Sequence, residues 1–435
     1  MLEFRMYGPY LLLYFILTIK PADAIFGILQ PVKTNEEIRI GVMVELTRAF
    51  GRDLCEGITS YAQEQEALTP FFVDIKSLGD PKTLSRFDGF IARVMNDTIA
   101  RRLASSGKPV VDVYYEKPRT GFAVVKTNHT RIGSLAAEHF LERKFVNFGF
   151  CGFAGGRFSE YSRQAFCRAL SSKGHSCDCY EPPPSTRYEF DPSVLINERL
   201  NRAQDAAALT RWVKRTRKPI AVLCPNDLRA WQLMNVCRDC DIDVPHEVAI
   251  LGLDNDVLVC GFSKPTISSI DPNTAEIGRI AVRTLVEIIE NPGLSKRQIV
   301  RQVAPSGVVT RASTDVYPVN PPWLSDALVF IRKHIADNLT ASDVYARLGL
   351  SHTTVDAAFR KSLGTTVQKT ISAARLDEAR HLLMASGLPV ADIAARCGFA
   401  SQEYFTRSFT AAVGMAPSGW RAVQKASRGR KRREP

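Results

Sequence analysis

The chain has 435 residues, 45% of them apolar and 23% charged, which are ordinary values for a globular protein of two or three domains and not those of a disordered or fibrous chain. The net charge of +12 is unevenly distributed: residues 323–435 carry 17 Lys and Arg against 9 Asp and Glu, and the remainder carries 40 against 36. A basic terminal domain on a nearly neutral body predicts a polyanionic partner, usually nucleic acid; a merely soluble basic surface is the alternative.

The stretch Tyr10–Ala24, YLLLYFILTIKPADA, has the form of a signal peptide, because Arg5 precedes an apolar run and a small-x-small sequence ends it. The apolar run Leu11–Ile19 is nine residues long, whereas about 20 are needed to span a bilayer. We expect residues 1–36 to lie outside the fold, either as a signal peptide or as an extension from an over-long start. The C-terminal features described below favour the second interpretation.

Short apolar runs alternate with helical segments from Ile38 to about Thr310. The run IRIGVMVEL (residues 38–46) predicts a buried strand, and an amphipathic helix follows at residues 50–65. The runs FDGFIARV, KPVVDVYY, NFGFCGF, KPIAVLCPND and EVAILGLDND repeat this form. Continuous apolar strands separated by helices indicate α/β architecture with a parallel sheet covered on both faces. Ligands of such folds bind beyond the carboxyl ends of the strands or between two lobes.

Ten cysteines are scattered through the chain, which is too large to need disulfide bonds. The sequences HSCDC (residues 175–179) and CRDC (residues 237–240) are candidates for metal binding. A structural zinc site usually needs a second pair of ligands at a matching spacing, and none stands out, so we expect no metal and no cofactor. The sequence has neither a P-loop nor a nucleophile elbow, and we therefore expect no enzyme activity.

The sequence changes character after SGVVTRASTDVYPVNPP (residues 306–322), which has the prolines of a linker. In PVADIAARCGFASQEYFTRSF (residues 389–409), a Gly-containing turn separates two short helical segments, and Ser401 can cap the second. This arrangement predicts a helix-turn-helix whose second helix enters the DNA major groove, where Arg407 suits guanine and Gln402 suits adenine. The alternative is a plain helical hairpin with Glu403 and Arg407 as a surface pair.

A second copy of this plan precedes the first, at LTASDVYARLGLSHTTVDAAFRKSLG (residues 339–364). Between the two copies, ISAARLDEARHLLMAS predicts a helix that holds them at a fixed separation. The final residues, KASRGRKRREP, form a basic tail for which a solvated state is expected. Two such units in a basic region favour DNA binding over a helical hairpin.

The C-terminal region, residues 323–423, resembles the DNA-binding domain of AraC-type transcription activators. The resemblance rests on residues in matching order and spacing: Ile393, Ala394, Gly398, Phe399, Ser401, Tyr404, Phe405, Arg407, Phe409, Gly414, Pro417, Trp420 and Arg421. It implies two recognition helices in successive segments of the major groove. The implied DNA-contacting positions are Thr353, Asp356 and Ala357 in the first unit and Ser401, Gln402, Glu403, Thr406 and Arg407 in the second.

Some positions depart from the AraC-type pattern. Asp356 and Ala357 stand where larger polar or basic residues are common, which weakens the case for base recognition by the first unit. Ala416 stands where Ser or Thr usually caps the last helix, and Thr410 where a basic residue is common. The second unit is therefore the stronger candidate for sequence recognition.

The α/β region resembles the periplasmic-binding-protein-like domain of LacI/GalR-type repressors, through AFGRDLCEGITSYA, PNDLRA, ILGLDND and RASTD. Joined to AraC-type units, it is similar to the xylose-operon activator subgroup, whose sensor domain binds a sugar between two lobes. An Arg four residues before Phe166 is expected from that pattern, but Ser162 stands there and Arg163 is one place away. The sugar-binding candidates are Arg48, Phe50, Arg52, Asn128, Arg163, Asp227 and Asp254.

Each candidate has a simpler interpretation. Asp227 and Asp254 suit sugar hydroxyls as carboxylate acceptors but also suit helix capping. Arg48 and Arg52 suit sugar oxygens as donors but are often solvent-exposed, and Phe50 suits the C–H face of a sugar or the core.

The resemblance implies a sugar-responsive transcription regulator, with D-xylose or a related pentose as effector. We expect a two-lobed sensor at residues 37–312, a linker at 313–322, a DNA-binding domain at 323–424 and a basic tail at 425–435. The implied partners are double-stranded operator DNA, RNA polymerase and a second copy of the chain, in the cytoplasm and away from membranes. The alternatives are an exported sugar-binding protein of a transport system, supported by the first residues, and an enzyme on the same scaffold.

Overall fold

The computed structural model describes residues 37–65, 67–74, 80–114, 119–183, 198–296 and 298–422. The predicted N-terminal extension and basic tail lie outside these ranges. The described residues form two α/β lobes followed by an all-helical domain. This architecture confirms the fold class that the sequence predicts.

The first lobe contains a six-stranded parallel sheet with the strand order β11-β5-β4-β3-β1-β2. Its strands are β1 (Ile38–Met43), β2 (Leu68–Phe72), β3 (Gly89–Ala92), β4 (Val110–Asp112), β5 (Phe122–Thr127) and β11 (Val300–Val303). Its helices are α1 (Ala49–Gln63), α2 (Pro81–Leu84), α3 (Asp97–Ser105) and α9 (Thr274–Glu290), the last followed by a 3₁₀ turn at Pro292–Lys296.

The second lobe repeats this plan with the strand order β12-β10-β9-β8-β6-β7, in which β12 alone is antiparallel. Its strands are β6 (Asn147–Cys151), β7 (Asp178–Tyr180), β8 (Ile220–Leu223), β9 (Val248–Leu253), β10 (Ser268–Asp271) and β12 (Gly307–Val309). Its helices are α4 (His129–Glu142), α5 (Arg157–Ser171), α6 (Glu198–Arg215), α7 (Asp227–Asp239) and α8 (Val257–Phe262), and a 3₁₀ turn follows at Ala312–Thr314.

Buried apolar side chains, helix caps and close helix contacts hold the strands and helices of the two lobes in place. Every residue of β8 and β9 is buried, as expected for central parallel strands covered by helices on both faces. Helices α3, α4 and α7 begin at Asn96, Asn128 and Asn226, whose side-chain oxygens accept backbone N–H groups at 2.9–3.0 Å. In the first lobe α1 and α9 approach so closely that a Cβ on Gly57 would lie 1.8 Å from the Ala275 carbonyl oxygen.

The C-terminal domain is helical and contains the two predicted helix-turn-helix units. One helix precedes the units, and a long helix connects them. Its helices include α10 (Pro322–His334), α11 (Ala341–Leu348), α12 (His352–Leu363), α13 (Val367–Ala385), α14 (Val390–Arg396) and α15 (Gln402–Val413), and residues 417–422 are helical as well. Two apolar clusters support the domain, one around each unit.

The junction between the sensor and the helical domain is attached to the second lobe. Ser313 and Thr314, which the sequence assigns to the linker, are fully buried there. The Ser313 hydroxyl donates to the Ile250 carbonyl at 2.6 Å, and the Arg143 guanidinium donates to the Thr314 carbonyl at 2.9 Å. On the other side, Asp315 forms ion pairs with Arg332 and Lys333 of α10. The linker therefore connects α10 directly to the second lobe.

Candidate functional site

A cleft of about 810 Å³, its open mouth included, lies between the two lobes. Residues of both lobes line it, and most follow the carboxyl ends of strands, where the sequence predicts a ligand. The lining comprises Arg48, Phe50, Arg93, Val113, Tyr114, Lys126 and Thr127 from the first lobe, and His129, Phe158, Tyr161, Pro225, Asn226, Leu253, Asp254 and Pro272 from the second lobe and the crossover to α9.

Asp254 is the carboxylate of this lining. It follows β9 with a φ of 106°, a strained conformation of the kind that is concentrated at functional sites. Burial raises the pKa of Asp254 well above its usual value, the Asp227 charge adds to the rise, and Arg93 and Arg48 oppose it. Asp254 is thus a half-buried acceptor in a cleft that Arg48 and Arg93 line from the other lobe, which suits the paired hydrogen bonds of a hydroxylated ligand.

Aromatic rings and cations alternate around the rest of the cleft. The Arg93 guanidinium carbon lies 5.1 Å from the Phe50 ring centroid and 4.7 Å from that of Tyr114. The Lys126 amine lies 5.7 Å from the Tyr161 ring centroid. Such rings offer flat apolar faces beside donors that fix orientation, which is the combination that sugar C–H and O–H groups need.

His129 is held as a neutral imidazole beside Lys126. Burial, with a smaller effect of the Lys126 charge, lowers the pKa of His129 to about 4. Its Nδ1 lies 3.1 Å from the Ser162 hydroxyl. With Nδ1 engaged by Ser162, the neutral imidazole has only Nε2 left for a hydrogen bond in the cleft.

The predicted sugar-binding residues divide into two groups. Arg48, Phe50 and Asp254 line the cleft. The other four lie outside the lining. Asn128 caps α4, and the fully buried Asp227 lies behind Asp254.

Arg52 and Arg163 are engaged elsewhere. Arg52 of the first lobe pairs with Asp256 of the second at 3.3 Å and donates to the Leu46 carbonyl. Arg163 pairs with Glu160 at 2.6 Å on the outer side of α5, with 40% of its side chain exposed. Ser162 faces inward toward His129, and the next residue of a helix points roughly 100° away.

Several lining residues were missed by the sequence interpretation, namely Arg93, Tyr114, Lys126, Thr127, His129, Phe158, Tyr161 and Asn226. Arg93 and Tyr114 lie at the ends of two predicted apolar runs, and the strands stop just before them, so an inspection of the strand ends could have found them. Phe158 and Tyr161 lie on α5, and the sequence did not show which face of that helix meets the cleft.

Asp227 connects β9, β10 and α8 behind the cleft. One of its oxygens accepts the Ser269 hydroxyl at 2.5 Å and the other accepts the Asp256 N–H at 2.7 Å. Burial raises the pKa of Asp227 from its usual 3.8 to about 7. The Asp256 carboxylate in turn accepts the Ala49 N–H of the first lobe at 3.0 Å. A titratable buried carboxyl therefore supports a contact between the lobes.

This geometry predicts a pH dependence of stability. Between about pH 4 and about pH 7 the folded chain retains a proton on Asp227 that the unfolded chain has released. The contribution of Asp227 to the free energy of unfolding therefore decreases as the pH rises over this range and is lost above about pH 7. Asp227→Asn retains an oxygen for the Asp256 N–H and does not titrate. We expect its free energy of unfolding in urea to vary less steeply than the wild type from pH 4 to 7. Asp239→Asn, at an exposed site, is the control; equal slopes in all three proteins would contradict the prediction.

The second helix-turn-helix unit has the predicted geometry. Ser401 caps α15 by accepting the Tyr404 N–H at 3.1 Å. Phe405 and Phe409 are fully buried with ring centroids 5.6 Å apart. Gln402, Glu403 and Arg407 are exposed on the opposite side, and Thr406 is half-buried beside them. The exposed side of α15 can therefore enter a major groove without disturbing its core.

Gly398 forms the turn between α14 and α15. Its φ of 70° lies in the left-handed region, which favours glycine. A Cβ at this position would lie 1.9 Å from the Ile335 carbonyl oxygen at the end of α10. The second unit thus packs against the end of α10, the helix that follows the sensor.

The first unit differs at one predicted DNA-contacting position. Thr353 and Ala357 are exposed on α12, as DNA contact requires. Asp356 is half-buried, and its carboxylate accepts the Val367 N–H at the start of α13 at 3.3 Å. The structure therefore gives Asp356 a capping contact inside the domain.

Two family comparisons match the two parts of the chain. Residues 137–314 match the periplasmic binding protein-like domain, and residues 344–422 match a helix-turn-helix domain. The chain joins a periplasmic binding protein-like domain to an AraC-type helix-turn-helix domain. This confirms the resemblance that the sequence motifs indicated.

The chain matches some curated proteins over most of its length and others over a short part of it. It is 24% identical over 394 residues to the xylose operon regulatory protein of Escherichia coli strain K12, covering 88% of this chain and 97% of that one. The corresponding protein of Haemophilus influenzae is 23% identical over 401 residues, covering 89% and 99%. The transcriptional activator RhaS of Klebsiella pneumoniae strain 342 matches 90 residues at 34% identity, 21% of this chain and 32% of that one.

A solved structure supports the fold of the two-domain regulator. The xylose-binding transcription activator xylR matches with a TM-score of 0.56 at 23% identity, covering 89% of this chain and 99% of that chain.

Within the described residues, every helix is too short or too polar to cross a membrane.

Proposed function

We propose that this chain is a sugar-responsive transcription regulator that binds operator DNA through α12 and α15. One chain contains both an interlobe cleft lined by polar groups and two helices with exposed polar faces, and this combination is the main support for the proposal. The similarity to xylose operon regulatory proteins over most of both chains supports it. The relatives are regulators, which favours this function over an enzyme or a transport component.

The proposed effector is D-xylose or a related pentose. Asp254 would accept sugar hydroxyls, Arg48 and Asn226 would donate to ring and hydroxyl oxygens, and Phe50 and Tyr161 would cover the C–H faces. These side chains come from four segments of the two lobes, with Arg48 and Phe50 on one of them, so they surround a small ligand. The identity of the relatives supports xylose as the first sugar to test.

Effector binding would act through the angle between the lobes. The Arg52–Asp256 ion pair and the hydrogen bond from the Ala49 N–H to Asp256 already join the lobes beside the cleft. A ligand held by both lobes stabilises the closed form, and it shifts the equilibrium only as far as it binds the two forms unequally. The attachment of α10 to the second lobe would carry this change to the helix-turn-helix units.

The remaining assignments follow from this function. We propose cytoplasmic location, because the operator is there, and a homodimer that binds paired half-sites and contacts RNA polymerase. We retain the domain boundaries 37–312 for the sensor, 323–424 for the DNA-binding domain and 313–322 for the linker, with Ser313 and Thr314 packed on the sensor.

Asp254→Asn tests the effector site. The substitution preserves the shape of the side chain but replaces an acceptor oxygen by a donor, so a sugar hydroxyl that donates to Asp254 loses its acceptor, at a cost of about 1–3 kcal/mol. We expect calorimetry to show that affinity for the effector found in a panel of D-xylose, D-ribose and L-arabinose falls by at least about tenfold. Asp239→Asn, on the exposed end of α7, should bind as the wild type does. A wild-type chain that binds none of the panel would overturn the proposed effector class.

A further inference from the structure

Three thiols meet at the outer edge of the second lobe. Cys167 lies on α5, Cys177 precedes β7 and Cys179 lies within it. The Sγ atoms of Cys167 and Cys179 are 3.6 Å apart, and those of Cys177 and Cys179 are 3.9 Å apart. All three Sγ atoms lie within 4.8 Å of one another, and each residue is half-buried. We call these residues the three-cysteine cluster.

The spacing of the cluster fits a tetrahedral metal ion. Zinc binds thiolate sulfur at about 2.3 Å, so two sulfur ligands of a tetrahedral site lie about 3.8 Å apart. The two measured separations lie on either side of that value. A disulfide needs a sulfur separation of about 2.05 Å, much shorter than any of these contacts.

The surroundings of the cluster suit thiolates. The Arg163 guanidinium, which forms a bidentate pair with Glu160, lies near Cys179. Three thiolates on a divalent cation leave one net negative charge, and a nearby cation such as Arg163 reduces the cost of that charge even though Glu160 shares it. Because the residues are half-buried, an ion can reach the sulfur atoms from solvent while the strand and helix hold them in place.

The cluster also explains the position of Arg163. Its side chain lies on the outer side of α5, whereas Phe158 and Tyr161 of the same helix face the cleft on the opposite side. The sequence interpretation considered Cys177 and Cys179 and found no further ligands, because Cys167 lies on the preceding helix and is separated from both by a turn. The fold brings Cys167 next to Cys177 and Cys179 and so provides a third ligand.

We propose that Cys167, Cys177 and Cys179 bind one thiophilic divalent metal ion, with Zn²⁺ as the first candidate, through three thiolates and a fourth position open to water. Each thiol that becomes a ligand releases its proton to solvent, so binding is stronger at higher pH. The site is separate from the effector cleft and does not depend on the proposed function. Soft thiolate ligands also favour Cd²⁺ and Cu⁺ over Mg²⁺ or Ca²⁺.

Cobalt substitution provides the direct test. The full-length chain, reduced and stripped with a chelator, is titrated with Co²⁺ alone and then with Zn²⁺. We expect one equivalent of Co²⁺ to produce a thiolate-to-cobalt charge-transfer band and the visible bands of a tetrahedral ion, and Zn²⁺ to abolish both. A featureless spectrum, or bands without one-to-one stoichiometry, would overturn the proposal.

Serine variants locate the ligands. We expect Cys167→Ser, Cys177→Ser and Cys179→Ser each to lower Zn²⁺ affinity by at least about 100-fold, since loss of groups that merely support metal ligands already costs 10–100-fold. Cys240→Ser, a half-buried cysteine of the same lobe outside the cluster, should bind as the wild type does. Circular dichroism of each variant checks folding. Equal loss in the control, or mass spectrometry showing a disulfide within the cluster of the wild-type chain in reducing buffer, would overturn the proposal.

Discussion

Arg407→Ala is expected to lower affinity for the operator by about 5- to 150-fold, which corresponds to the 1–3 kcal/mol of a bidentate base contact. Arg407 is exposed on α15, and its guanidinium carbon lies 5.8 Å from the Tyr404 ring centroid on the same side of the helix. Truncation of Arg407 to Ala removes a donor from the proposed DNA-facing surface and leaves the buried Phe405 and Phe409 in place. Effector affinity should not change, because the cleft lies in another domain.

The measurement is a set of mobility-shift titrations at several salt concentrations on operator and on unrelated DNA. If Arg407 recognises a base, discrimination between the two DNAs falls while the salt dependence stays the same; if it contacts a phosphate, both affinities fall and the salt slope decreases by about one. Arg101→Ala, which removes the same charge from an exposed position of α3, is the control. Operator affinity within twofold of the wild type for Arg407→Ala would rule out the role assigned to α15.

Phe409→Ala is expected to destabilise the second helix-turn-helix unit by about 3–5 kcal/mol. Phe409 is fully buried, with its ring centroid 5.6 Å from that of Phe405 and 5.8 Å from that of Trp420. Its ring packs among Leu383, Ile393, Phe399 and other apolar side chains, so truncation to Ala leaves a cavity inside this cluster. Operator binding should be lost with the unit, while the sensor retains its effector affinity.

Hydrogen exchange measures this effect region by region. Amides of α14 and α15 should lose protection in Phe409→Ala, while those of α1 and α9 in the first lobe remain protected. Phe262→Ala makes the same change at a side chain that is 83% exposed, and its effect should stay within about 0.5 kcal/mol. Protection of α15 equal to that of the wild type would show that Phe409 does not hold the unit together.

Local sequence signals predicted most of the architecture. The apolar runs after Ile38 became β1, β3, β4, β6, β8 and β9, because an uninterrupted apolar run is buried on both sides only in a covered parallel sheet. The helix-turn-helix units were equally predictable, since Ser351 and Ser401 cap their recognition helices and Gly349 and Gly398 adopt the left-handed turn. In these cases the determining contacts lie within a few residues of one another.

The cleft was predicted less completely, because its residues come from separate segments. Positions directly after strands were accessible to sequence reasoning, and Arg48 and Asp254 were found in that way. Which side of α5 faces the cleft depends on how the helix packs against α4, and the sequence alone placed Arg163 on the wrong side for lining the cleft. The three-cysteine cluster likewise depends on the distance between a helix and a neighbouring strand.

The attachment of the linker to one lobe has a thermodynamic consequence. Ser313 and Thr314 are buried in the second lobe, and Asp315 pairs with two residues of α10, so in the proposed mechanism the helical domain would follow that lobe when the lobes rotate. Linkage is reciprocal: a factor by which an effector changes operator affinity must equal the factor by which the operator changes effector affinity. Under the proposed function, DNA bound to the helical domain would therefore change effector affinity in the cleft, and calorimetry with and without operator would measure this coupling.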